Sequence, residues 1–125
     1  MVSPLAIQRL IALPFLVLGS WCLFMPRSVL ELVLNPDYRE LTTTTALLMG
    51  CFGSQAILSG LFAWFSRFTS TTFLAYGIAL LPFFWFNYWF VCVEPVFNQW
   101  MALDFLSNAA MLGLSVWGWR ISRAG

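Results

Sequence analysis

The chain has 125 residues, of which 61% are hydrophobic and 9% charged, and its net charge is +1. A soluble domain carries about 25% charged residues, so six cations and five acids cannot cover a water-facing surface of this size. Composition therefore excludes a soluble globule, a disordered tail, a secreted disulfide scaffold and a nucleic-acid binder, and leaves one polytopic membrane domain over residues 1–125.

Four stretches reach the roughly 20 apolar residues that a spanning helix needs. They are residues 5–24, 42–65, 68–93 and 96–119. Uninterrupted runs of this length read as α-helices, because lipid cannot satisfy bare backbone groups. The first run ends in Met25-Pro26-Arg27 rather than at a small-residue cleavage site, so a retained helix is expected. Pro14 and Pro82 each remove an intrahelical hydrogen bond and are expected to kink their helices.

Between the first two spans, Ser28 and Glu31 have capping-box spacing, and Val29, Leu30, Val33 and Leu34 supply an apolar face. Asn35-Pro36-Asp37 then stops the run, which predicts a short interfacial helix in the first loop. The later connections are short, so neighbouring helices should be antiparallel. The expected fold is an all-α, up-down four-helix transmembrane bundle.

Four spans gather Arg9, Arg67, Arg120 and Arg123 on one side without an acid. The other side holds Arg27 and Arg39 against Glu31, Asp37, Glu40 and Glu94. Positive residues favour the cytoplasmic face, so both termini are expected there, or in the matrix of a mitochondrion.

Chemistry has few carriers. Histidine and lysine are absent, and Cys22, Cys51 and Cys92 have no metal or redox spacing. No catalytic residue and no metal ligand is assigned, and the balance leans against an enzyme. Asp104 is the exception, since a carboxylate inside a span costs at least about 2.5–3.5 kcal/mol. Ser107 and Asn108 follow at i+3 and i+4, and Ser115 extends that stripe. Asn87, seven residues before the Glu94-Pro95 turn, and Asp104, nine after it, lie at similar depth, about 12 Å on a 1.5 Å rise. Asn87, Tyr88, Glu94, Asp104 and Asn108 are therefore the candidate set, either as a ligand pocket or as a polar staple between two helices.

Small residues on the second span, notably Gly50, Gly53, Ser54 and Gly60, form a face for close helix packing, within the bundle or against another subunit. Gln55 on the same helix should hydrogen-bond to a neighbour. Trp85, Trp89 and Trp100 fit an aromatic belt at the outer interface, with Trp117 and Trp119 at the inner one. Such rings could also grip a planar lipid.

The segments Gly50-Cys51-Phe52-Gly53-Ser54-Gln55, Leu80-Leu81-Pro82-Phe83-Phe84 and Leu103-Asp104-Phe105-Leu106-Ser107-Asn108 resemble small four-helix DoxX-like membrane proteins. The resemblance implies a four-helix bundle and little about activity. A second likeness is to the sterol-isomerase-like four-helix family. Its isomerases use a histidine that this chain lacks, which speaks against that chemistry.

The leading expectation is a non-enzymatic accessory or scaffold subunit of a larger membrane complex, partnered by other membrane subunits or by itself. The alternative is a binder of a lipid, sterol, quinone or pigment around Asp104. A proton-coupled transporter is the third reading.

Overall fold

The computed structural model describes residues 2–124. They form five α-helices: α1 (Pro4–Phe24), α2 (Pro26–Val33), α3 (Thr43–Phe65), α4 (Ser70–Tyr88) and α5 (Ala102–Ala124). The β-pairing among them is an isolated antiparallel bridge between Leu34 and Phe97. The helix starts have local causes. Ser3 accepts from the Ala6 N–H, with Pro4 preset for the first turn. Thr42 with Thr45, and Thr69 with Thr72, close reciprocal capping boxes that begin α3 and α4.

Two boundaries differ from the sequence reading. The first-loop helix starts at Pro26 rather than at a Ser28 cap, and the Ser28 hydroxyl instead accepts from the Trp21 indole N–H at 3.4 Å. The last helix begins at Ala102 rather than at residue 96. The preceding segment is held non-helical by the first loop. Asn35 donates its backbone N–H to Val96 O at 2.9 Å, and the Asn98 N–H reaches Val33 O at 2.7 Å. The Asn35 side chain adds bonds to Pro95 O and Phe97 O, and Asn98 donates to Leu32 O at 2.6 Å. These carbonyls are thereby satisfied without a helix, and the two loops become one platform.

Closest backbone packing joins α1 to α3, α4 to α5, and α1 to α5. Glycine makes the first contact possible. A Cβ added at Gly53 would lie 2.6 Å from Gly19 O and Leu23 N, so α1 and α3 touch backbone to backbone there. At the α4–α5 crossing, Gly118 admits the Phe73 ring. Two apolar clusters mark opposite ends. Ile7, Ile11, Phe73, Leu80 and Met111 form one, and Cys22, Val29, Leu30, Val33 and Leu34 form the other. Both α1 and α4 continue helically through their internal prolines.

Three segments, Pro4–Phe24, Thr43–Phe65 and Ser70–Val93, are long and apolar enough to cross a membrane. The surface agrees with them: Val17, Leu47, Leu48 and Phe62 stand largely exposed, as in a lipid-facing protein. α5 matches α3 in length at 23 residues, but Asp104, Asn108, Ser115 and Arg120 make it more polar.

Candidate functional site

The end of α4 and the start of α5 bring three of the candidate residues together. Asp104 lies in the first turn of α5, closer to the helix end than near-equal spacing about the Glu94-Pro95 turn implied, because α5 starts late. Its Oδ2 accepts from Asn87 Nδ2 at 3.0 Å and from Asn108 Nδ2 at 3.0 Å. Asn87 also donates to Phe83 O at 2.8 Å, so both of its amide hydrogens are spent. Its Oδ1 is buried and receives no hydrogen bond among the described residues. An acceptor left unpaired inside a protein costs about 1–3 kcal/mol.

Among the described residues, no arginine pairs with Asp104. The carboxyl is held by amide dipoles and by its place near a helix N-terminus, where a negative group is favoured.

The other two candidates stand apart from this trio. Tyr88 turns outward at 55% exposure beside Trp85, and Glu94 is exposed past the helix end. Ser107 spends its hydroxyl on Leu103 O at 2.9 Å. Ser115 is buried against Gly77 of α4, and its Oγ has no partner among the described residues. Between Tyr88 and Glu94 the backbone widens into a π-helical turn at Trp89–Val93, with the Glu94 N–H reaching Trp89 O at 2.7 Å. Such turns recur next to functional sites.

Asn87 and Asp104 open onto a cavity of about 370 Å³. Its walls come from Cys22 and Leu18 of α1, Val33 of α2, and Met49 and Phe52 of α3. Phe86 and Phe90 close it from the α4 side, and Trp100 from the loop platform. A smaller cavity of about 140 Å³ shares Leu18, Phe52, Phe83 and Asp104 with it and continues past Gln55, Ser59 and Asn108. Both lie in the space between α3 and α4, with α1 and α5 as floor. At the far end of that space the Tyr76 hydroxyl donates to Ser59 O at 3.2 Å and ties α3 to α4. The larger volume falls within the range of about 300–1,000 Å³ in which small-molecule sites are found, and the smaller one extends it.

A broader depression of about 450 Å³ lies over Asn35, Asn98 and Trp100. Its two asparagines already donate their amides to the backbone, Asn35 to Pro95 O and Asn98 to Leu32 O of α2, so it is a structural junction.

The small-residue face divides. Gly53 and Gly60 meet α1, where a Cβ on Gly60 would lie 2.8 Å from the Leu16 side chain. Gly50 has nothing within 4 Å, and Ser54 is exposed with its hydroxyl turned back to Gly50 O at 3.0 Å. Gln55 is exposed on the rim of the smaller cavity. All three cysteines are free. Trp85 stacks on Trp89 with centroids 5.7 Å apart, both turned outward with Trp100. At the opposite end, Arg123 lies over the Trp119 ring at 5.0 Å.

One residue with a large role carried little signal. Gln8, 1% exposed, donates to Ala63 O at 2.8 Å and to Ser66 O at 2.6 Å, and accepts from the Phe68 N–H at 2.9 Å. It satisfies carbonyls that the end of α3 leaves open. A glutamine near the start of an apolar span looks like an interfacial residue until the turn after α3 is seen to fold over it.

No family model matches the chain, and no curated protein or solved structure matches it.

Proposed function

We propose that this is an integral membrane protein that holds a lipid-soluble, amphipathic small molecule in the cleft between α3 and α4. The ligand's polar end meets Asp104 and Asn87, and its apolar body lies against Phe52, Phe86 and Phe90. One observation carries the reading: an apolar cavity of about 370 Å³ ends on the Asp104 carboxyl, whose Oδ1 receives no hydrogen bond among the described residues. A mere staple between α4 and α5 has no need of that space. In this reading α5 is the fourth span of an up-down bundle, as in DoxX-like proteins. The termini and Arg67 face the cytoplasm or matrix, and the cleft's polar end faces the opposite side.

The accessory-subunit reading draws on the small-residue face of α3. With Gly53 and Gly60 occupied by α1, its contact surface would be Gly50, Ser54 and the neighbouring outward side chains.

The test is native mass spectrometry of the protein extracted gently from its own membrane. The reading expects a retained molecule of a few hundred daltons, lost when Met49→Trp fills the cavity while helicity and thermal stability persist. Bare protein, or a fixed-stoichiometry assembly whose small-molecule content Met49→Trp leaves unchanged, would contradict it.

A further inference from the structure

The cleft's polar end is one-sided in its hydrogen-bonding capacity. Asn87 has given one amide hydrogen to Phe83 O and the other to Asp104 Oδ2. What it has left is Oδ1, an acceptor, in a side chain that is 6% exposed. Asp104 receives two hydrogen bonds on Oδ2, and no donor reaches Oδ1 among the described residues. The Trp21 N–H is committed to Ser28. Among the described residues no arginine pairs with the carboxyl, so its second oxygen is left to whatever enters.

We infer that the ligand's head group is a hydrogen-bond donor, a hydroxyl or an ammonium, and that a carbonyl-only head is rejected. This rests on the binding reading proposed above and narrows its substrate class. A ketone or quinone oxygen placed here would face acceptors with nothing to bridge them, while losing whatever donor it had outside. A hydroxyl or amine supplies the donor that Asp104 Oδ1 lacks. The discrimination follows from the rule that a buried site built to pair a donor penalises the analogue without one.

The experiment uses full-length protein in detergent micelles and follows tryptophan fluorescence, since Trp21 and Trp100 line the cavity. The titrants are matched sets on two skeletons: cholestanol with cholestan-3-one, and hexadecan-2-ol with hexadecan-2-one and hexadecan-2-amine. On the skeleton that fits, the alcohol or amine should bind at least about tenfold more tightly than the ketone, which corresponds to one unpaired buried group. Asp104→Asn introduces an amide donor beside the same cavity, so the ketone should gain and the amine should lose affinity. Equal binding of alcohol and ketone overturns the inference and leaves the cavity reading intact. An unchanged preference in Asp104→Asn also overturns it. If none of the five compounds binds, the cavity reading fails and the inference falls with it.

Discussion

Asn87 and Asp104 are bound to each other strongly enough to look like structure, so substitutions must separate holding from binding. Asn87→Leu removes one donor from Asp104 and should lower stability by about 0.6–2 kcal/mol, the range of interhelical polar contacts in membranes. Asp104→Asn is sharper. The new amide oxygen still accepts from Asn87 and Asn108, so thermal stability in detergent should hold while binding of an amine-headed ligand falls. Loss of both together would make Asp104 a staple. Gln8→Leu should cost about 2–3 kcal/mol, because it strands Ala63 O, Ser66 O and the Phe68 N–H; chemical denaturation checks this, and a neutral result would mean that water replaces the side chain. The sequence pointed to the Asn87–Asp104–Asn108 grouping through near-equal spacing about a turn and an i+4 step. Glu94 was placed with them by counting seven residues, two α-helical turns, on from Asn87, and the π-helical turn at Trp89–Val93 breaks that phase; Tyr88, one residue from Asn87, turns outward. Gln8 stayed hidden because its partners are backbone atoms more than fifty residues away.

Helix contacts here depend on which glycines face a backbone and which face outward. Gly53→Ala drives a Cβ to within 2.6 Å of Gly19 O and Leu23 N and should cost about 1–3 kcal/mol through forced separation of α1 from α3. Gly50→Ala meets nothing within 4 Å and should be neutral or stabilising by up to about 1 kcal/mol, the helix-propensity difference. Thermal melts of the two variants side by side test this, and equal effects would show that the α1–α3 contact is not as close as described. Both glycines sit in one small-residue run, and the pattern alone gives no means of telling them apart. The long apolar runs themselves were legible to within a few residues for α1, α3 and α4. The start of α5 was not, because Val96 and Phe97 are apolar yet their carbonyls are held by Asn35 across the platform. That is a tertiary contact overriding a local pattern.

Across the whole molecule, the α3–α4 connection lies at the end with the start of α1, and the first loop lies at the other. Cysteines engineered beside Arg67 and beside Asp37 should therefore label from opposite faces of a sealed vesicle. Labelling of both from one face would contradict the proposed topology. Exposed leucines and phenylalanines surround the helices, while the cleft between α3 and α4 presents an apolar recess with a polar end. The central claim is that this recess holds a specific lipid-soluble molecule. Photocrosslinking in the native membrane tests it most directly, with a photoreactive residue at Phe52 inside the cleft and a control at outward-facing Leu48. The account predicts one adduct of a few hundred daltons at Phe52 that is absent at Leu48 and disappears in Asp104→Leu. The same mixture of bulk phospholipid adducts at both positions, or crosslinks to another polypeptide from Phe52, would contradict it.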